Sequence, residues 1–325
     1  MASDYGMDIG TARTIIYDTK NMLLNEASVV AVETRTGMPL SFGDDSLPMI
    51  GRTPDRITAL CPIERGTIAN YDVAEAMIYH FLGRVSSNKM FKARVAVAVP
   101  SSITPVQRKS IGDACTAAGA RDVRLIEAPL AAAIGLGIDF STPKGSIIVD
   151  FGAGTTDVAV LSLGGLAQFE STPVASIDFN EAIAKHIKKE YNVLIGPHTA
   201  ENIKLKIGGL AERELELHMC VKGRNQFNGL PQIVEISSSE IHDVLDDVAK
   251  QICRAVQNVI ENTPPEMVGD IYSEGLILAG GGSLLFGFCN YLQKFLGVEI
   301  HHVPEPDTCV AKGVGKAIEN FDKIK

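Results

Sequence analysis

Two short segments of this chain combine a carboxylate, glycines and hydroxyls in an order suited to holding a phosphate chain and its metal. Asp8-Ile9-Gly10-Thr11-Ala12-Arg13-Thr14 runs into the apolar Ile15-Ile16-Tyr17. Far downstream, Ile147-Ile148-Val149-Asp150-Phe151-Gly152-Ala153-Gly154-Thr155-Thr156-Asp157 runs into Val158-Ala159-Val160. Each reads as strand, tight turn, strand. Glycine lets backbone approach an anion closely and take positive φ, and successive N–H groups in such a turn form an anion-binding nest. One copy is a weak signal. Two, with Asp150 lying 142 positions after Asp8, point to a duplicated half-protein that closes on a polyphosphate from both sides. Asp8 and Asp150 end the leading strands. Either each caps its own turn, or the pair holds Mg2+ through its water shell, since Mg2+ binds by one or two carboxylates plus phosphate oxygens and keeps its waters. The repeated context favours the pair.

Three further groups of residues invite a chemical reading. Gly280-Gly281-Gly282-Ser283-Leu284 follows a short apolar run and precedes a helical pattern. It is either a plain strand-to-helix turn or a bare backbone surface for a base or ribose at an anion-favouring helix start. Glu127, at a strand end, either favours the helix start electrostatically or aligns an attacking water with a γ-phosphorus; Asp157 is either a solvated strand charge or shares that task. In Ser86-Ser87-Asn88-Lys89-Met90-Phe91-Lys92, two large apolar residues sit between lysines. Met90 and Phe91 either fold back onto the core or dip into a bilayer while Lys89 and Lys92 meet anionic headgroups.

The elements that must position these residues alternate between strand and helix patterns, which argues for an α/β architecture. Ala93 to Val99 reads as a strand ending at Pro100, and Thr104-Pro105 opens a helix that closes near Gly119. Val123 to Ile126 is a strand, followed by a small-residue helix from Pro129 to Ile134. Ser141-Thr142-Pro143-Lys144-Gly145 is the clearest turn cluster and falls where the second half begins. Beyond it the spacing predicts a helix over Glu181 to Tyr191, strands over Leu215 to Val221 and Gln232 to Ser237 with a polar turn between them, and a capping box of Ser237 with Glu240 for a long helix. Leu276-Ile277-Leu278 reads as a buried strand, and a helix carrying Leu284, Leu285, Phe288 and Leu292 opens at the triple glycine.

A chain of 325 residues, 46% hydrophobic and 21% charged, has room for about two domains with ordinary globular cores. Its 30 basic and 39 acidic residues leave a net charge of −9. No basic stripe stands out to neutralise phosphates, so nucleic acid is not an expected partner. Six scattered cysteines without a C-x-x-C pair speak against a zinc site or a disulfide framework. No apolar run approaches the ~18 residues that span a bilayer, and a cytoplasmic location is expected.

Taken together, these motifs resemble the MreB family, bacterial actins of the actin, heat-shock chaperone and sugar-kinase superfamily, almost from end to end. Asp8 to Ala12 and Asp150 to Asp157 are similar to the two phosphate loops, and Ile126 to Ala133 and Thr308 to Lys316 to the two connecting segments. Thr199 to Lys204 and Gly280 to Leu284 resemble the two sides of the adenosine site. The resemblance implies an α/β, actin-like, duplicated ribonuclease H-like fold, with two lobes (four subdomains) around a nucleotide cleft. The first lobe would be residues 1–140, with a small subdomain at about 31–70 and a C-terminal helix, 309–325, returning to it. The second would be 141–308, with a small subdomain at about 176–238. It implies ATP or ADP with Mg2+ held by Asp8 and Asp150, and phosphates touched by Thr11, Ala12, Arg13, Ala153, Gly154 and Thr155. Adenosine would lie between Glu201, Asn202, Ile203 and Lys204 on one side and Gly281, Gly282, Ser283 and Leu284 on the other, with Glu127 and Asp157 catalytic. Head-to-tail filaments at the inner face of the cell membrane, membrane contact through Met90 and Phe91, and guidance of cell-wall synthesis are further implications.

Some positions depart from the family pattern. Arg13 stands where Asn is usual, a fixed charge that either tightens nucleotide binding or points outward. Ala128 replaces the second Glu of a usual Glu-Glu pair. Ser176-Ile177-Asp178 replaces Gly-Asp-Glu and removes a polar contact, Ala153 replaces a glycine, and Asp157 carries its charge on a shorter arm than the common Glu. These departures bear on hydrolysis more than on binding. The expected function is a slow, polymerising ATPase, with a nucleotide-binding scaffold of little or no turnover as the alternative.

Overall fold

The computed structural model describes residues 4–86 and 93–324; Met90 and Phe91 lie outside them. Its frame is two five-stranded sheets of the same construction. In the first, strands Met22–Ala27, Arg13–Tyr17 and Asp4–Ile9 form an antiparallel meander, and Arg94–Val99 and Asp122–Glu127 extend it in parallel. In the second, Gly165–Thr172, Thr156–Ser162 and Ser146–Phe151 form the meander, and Leu276–Ala279 and Ile300–His302 add in parallel. The duplication expected from the two turns therefore extends through whole sheets. Central strands covered by helices on both faces need not alternate, and all seven residues of Thr156–Ser162 are buried.

Two helices made of small residues pack where the lobes meet. Ala128–Leu136 and Cys309–Ala317 share one core with Ala96 and Ala98 of the first sheet and Ile148 and Ala159 of the second. Their backbones touch: a Cβ on Gly135 or Gly313 would run into the carbonyl of Cys309 or Ala131 respectively. Alanine and glycine are what this close crossing requires. The helix Cys309–Ala317 packs on Asp4–Ile9, Arg13–Tyr17 and Arg94–Val99.

Each sheet carries an insertion on its cleft side. The first holds a three-stranded sheet of Pro39–Phe42, Val30–Glu33 and Ile57–Leu60, and the hairpin Ile63–Glu64/Thr67–Ile68. The second holds helices Ser176–Tyr191 and Pro197–Ile207 and the sheet of Val193–Leu194, His218–Asn225 and Pro231–Ser237.

Local signals placed most elements, with shifts that have local causes. Thr104 and Gln107 form a reciprocal capping box for Pro105–Ala117. Ser237 accepts from the Glu240 amide at 3.3 Å, but the Glu240 carboxylate is taken by His186 and Tyr191 at 2.6 and 2.9 Å, so only half of the expected box forms. The helix predicted from Glu181 starts five residues earlier, because Asp178 accepts from the Ala175 amide at 2.7 Å and ends the preceding loop there. The strand predicted over 215–221 sits at His218–Asn225, where Asn225 Oδ1 accepts from the amides of Phe227 and Asn228 and sets the turn. No α-helix opens at the triple glycine. Gly280 and Gly287 lie at φ of 82° and 78°, so a 3-10 turn fills Gly281–Leu284 and the helix begins at Phe288.

Candidate functional site

The two glycine turns are built alike and face each other. Gly10 donates to the Arg13 carbonyl at 3.0 Å, and Gly152 to the Thr155 carbonyl at 2.9 Å. Across the gap Gly154 presses on Thr11: a Cβ there would lie 2.8 Å from Thr11 Cβ. The Thr11 hydroxyl accepts from the Gly66 amide at 3.1 Å, which brings the tip of the hairpin at 63–68 against the first turn. Between the lobes lies a cavity of about 410 Å³, bounded by both turns, both connecting helices, the helix Pro197–Ile207 and the glycine segment at 280–284. That volume is within the usual range for a small-molecule site.

Three carboxylates, Asp8, Asp150 and Asp157, line the cavity. Asp150 and Asp157 are cross-strand partners, and Asp8 ends the equivalent strand of the other lobe. Burial, and then the charge of Asp157, push Asp8 up to about 6. Burial raises Asp150 well above the usual carboxylate range, with Asp157 and Asp8 adding to it. Asp157 is raised by burial and partly relieved by the Ser101 amide, which donates to it at 2.7 Å across the lobes. None of the three has an ion-pair partner among the described residues. Gathering like charges in low dielectric is costly, and a hard cation beside them reverses the cost. Oxygen donors alone suit Mg2+. No three metal-ligating side chains among the described residues are close enough to cage an ion directly, so hydration water and phosphate oxygens would complete the coordination.

The acids imply a pH dependence. Between the ordinary aspartate range and pH 6 Asp8 keeps its proton in the folded protein more than in the unfolded chain, so its contribution to stability falls as pH rises through that window. His80, whose pKa burial lowers, works in the opposite sense, so the test is a difference: between pH 5.5 and pH 7.5 nucleotide-free wild type should lose more Tm, or gain less, than Asp8→Asn. An unchanged slope in that variant would remove Asp8 from the account.

Most of the expected site residues are brought together. Thr11, Ala12, Arg13, Ala153, Gly154 and Thr155 bound the end of the cavity at the two turns. Glu201 and Lys204, three apart on one helix face, bound the other end opposite Gly281, Gly282 and Leu284. Lys204 is buried and donates to the Ser176 hydroxyl at 2.8 Å; burial lowers its pKa. Asn202 and Ile203, between these two, do not line the cavity. Asn202 is exposed and Ile203 is buried in the second-lobe core, because successive helix positions turn to different faces. Ser283 is also turned away and donates to the Gly280 carbonyl at 2.6 Å.

Of the two readings of Arg13 the structure takes the outward one, and Glu127 stands outside the cavity lining. The Arg13 guanidinium turns outward to Asn25 and lies 3.2 Å from Asp44. Glu127 pairs with Arg108 at 2.6 Å, and its neighbour Ala128 rather than Glu127 bounds the cavity. Leu205, Gly208, Phe286 and Asp307 also bound the cavity and were not foreseen. Phe286, stacked 4.0 Å under the Arg213 guanidinium, follows the glycine run closely enough that its aromatic character was the one available signal.

Duplicated sheets joined by crossed helices, with paired turns and acids facing one interlobe cavity, define an actin-type fold. Across residues 2–325 the chain matches the MreB/Mbl protein family, and it belongs to that family. It is 42% identical to the cell shape-determining protein MreB of Escherichia coli K12, covering 99% of this chain and 94% of that one. Structures of MreB5 of Spiroplasma citri bound to ADP and to AMPPNP, 33% and 32% identical, superpose with a TM-score of 0.93 and cover 99% of this chain and 98% of theirs. The fold is also that of the MamK double helical filament, at 17% identity, a TM-score of 0.83 and coverage of 98% of this chain and 99% of that one.

Proposed function

We propose that this chain is an ATP-binding bacterial actin whose filaments lie on the inner face of the cell membrane, direct cell-wall synthesis and so set rod shape. The observation that carries this is the apposition of the two glycine turns over three carboxylates that have no ion-pair partner among the described residues. Nucleotide-bound MreB5 structures of the same shape support a nucleotide there, and the cell-shape proteins of the family support the cellular role. In this reading Asp8 and Asp150 hold hydrated Mg2+. The turn residues Thr11, Ala12, Ala153, Gly154 and Thr155 cradle phosphate, and Glu201, Lys204, Gly281, Gly282 and Leu284 flank the adenosine. Residues 1–140 and 141–308 act as the moving lobes. Bound nucleotide favours one interlobe angle and so couples binding to assembly by population shift; head-to-tail contacts that do not close generate filaments. Attachment falls to Met90 and Phe91, an apolar pair flanked by Lys89 and Lys92; among the described residues no helix is long and apolar enough to cross a membrane.

Turnover should be slow. Asp157 is already engaged by the Ser101 amide, and Glu127 must leave Arg108 before it can orient water. The Glu127–Arg108 pair is the specific observation that favours the second reading, a scaffold filament with little or no hydrolysis. Phosphate release and sedimentation on anionic vesicles, with ATP, ADP or no nucleotide, test both. The ATPase reading expects ATP-dependent pelleting and release that Glu127→Ala abolishes. Assembly with negligible release selects the scaffold, and a strict monomer with lipid and ATP overturns both.

A further inference from the structure

The tip of the hairpin Ile63–Glu64/Thr67–Ile68 is a two-residue turn, Arg65-Gly66, with φ of 49° and 71°. Two positive φ values make it the mirror-image turn that suits tight hairpins and calls for Asn-Gly. Arginine is an unfavourable choice for the first position, and residues held in such conformations persist where their surroundings fix them. Gly66 is fixed by both lobes. Its amide donates to Thr11, and a Cβ on it would meet the Pro100 ring and come within 3.2 Å of the Thr155 methyl.

From this wedged tip the Arg65 guanidinium crosses to the opposite lobe. It donates to the Pro173 carbonyl and to Asp178 Oδ2, the latter at 2.6 Å, and lies 3.8 Å from Glu181. Asp178, in the first turn of the helix Ser176–Tyr191, also accepts from the amide of the N-cap residue Ala175. The first turn of that helix is bonded to the second phosphate turn, with Ser176 and Ile177 donating to the carbonyls of Gly152 and Ala153 at 3.2 and 2.9 Å. A second tie spans the same gap, His198 Nε2 to the Leu47 carbonyl at 2.9 Å. One arginine thus joins a hairpin resting on the first phosphate turn to a helix hung from the second.

We infer that Arg65 is an interlobe clasp: bonded to Asp178 and Pro173, it holds the lobes at their closed angle and sets how long a nucleoside di- or triphosphate stays in the cleft. The residence-time part rests on the nucleotide reading of that cleft; the closure part does not. The pair's partial exposure, 37% for Arg65 and 20% for Asp178, admits screening, so the clasp responds to salt.

The test compares wild type, Arg65→Asn, Asp178→Asn and the double variant. Asparagine at 65 suits the turn, and asparagine at 178 keeps an acceptor for the helix cap. The first measurement is the dissociation rate of a fluorescent ADP analogue chased with unlabelled ADP. The second is the radius of gyration of nucleotide-free protein by small-angle scattering. Each single variant should release the analogue about three- to tenfold faster, as loss of a half-exposed, charge-assisted pair predicts. The double variant should add little to either, as coupled partners do, and salt should speed release in wild type but not in Arg65→Asn. Wild-type rates and radius in Arg65→Asn, or rate effects that multiply in the double variant, would overturn the clasp. If wild type binds no analogue, the nucleotide reading fails, and a larger radius in Arg65→Asn still decides for the clasp, an unchanged one against it.

Discussion

Asp150→Asn should raise the melting temperature of the nucleotide-free protein and at the same time abolish the Mg2+-dependent part of its stabilisation by nucleotide. The two effects have one cause. In the free protein Asp150 is buried beside Asp157 and Asp8, and burial followed by their like charges drives its pKa well up. The amide keeps the volume and a hydrogen-bonding oxygen but removes the charge. Relief of about 1 kcal/mol would shift Tm by about 2–4 °C in a chain of this size class. With Mg2+ and ADP present the sign reverses, because a ligand stabilises only as far as it binds the folded state, about 2.7 kcal/mol at a hundredfold excess over Kd. A carboxylate that orients metal-bound water is commonly worth 10–100-fold in affinity, enough to remove most of that gain. Differential scanning fluorimetry with EDTA, with Mg2+, and with Mg2+ plus ADP reads both. A variant less stable when free, or stabilised by Mg-ADP as strongly as wild type, would show that Asp150 is a turn cap and no part of a metal site.

The second large effect is steric. Gly154→Val places a branched side chain where a Cβ alone would come within 2.8 Å of Thr11 Cβ and 3.1 Å of its methyl. Thr11 cannot retreat, since its hydroxyl is bonded to Gly66 and the residue is only 9% exposed. Overpacking of this kind costs about 1–3 kcal/mol, and here the cost falls on the approach of one phosphate turn to the other. Nucleotide affinity should drop about 10–100-fold, one decade per 1.4 kcal/mol. Gly165→Val, on a strand of the same sheet with open space around its Cβ, is the control and should bind normally. Equal affinity in both variants, measured by titration of a fluorescent nucleotide, would mean that the turns need not meet to hold phosphate.

What could be read from the sequence follows the range over which each residue acts. The paired turns were legible because carboxylate, glycine and hydroxyl stand within a few residues of one another, and the strands around them because branched apolar runs have few other fates. Family resemblance brought Glu201 and Lys204 to the cavity but carried Asn202 and Ile203 along with them, since a contiguous motif does not say which helix face it presents. The triple glycine suggested a helix start, and two positive-φ glycines delayed the helix to Phe288. Long-range partners were invisible. Nothing near Arg13 announces Asp44, and nothing near Glu127 announces Arg108. Ser176-Ile177-Asp178 looked like the loss of polar contacts, yet Ser176 holds Lys204 and Asp178 holds Arg65, each partner supplied from elsewhere in the chain.

Two structural features bear on how assembly and turnover are related. The lobes touch at the glycine turns, at Ser101 and Ser102, which meet Asp157 and Ser171, at Arg65 and at His198, while their cores are separate apart from the crossed small-residue helices. Rotation about that crossing changes the polar ties without breaking either core, which is the kind of motion a filament contact can bias. In this account hydrolysis waits on such a shift, because Glu127 is committed to Arg108 until the helix Pro105–Ala117 or the connecting helix moves.

Isothermal titration calorimetry of the purified chain with ADP, with and without Mg2+, bears most directly on the proposal that the facing turns grip a metal-bound nucleotide. One site per chain, with affinity that falls at least tenfold when Mg2+ is withheld, is the expected result. Absence of heat under both conditions, or identical binding with and without Mg2+ and in Asp150→Asn, would contradict it.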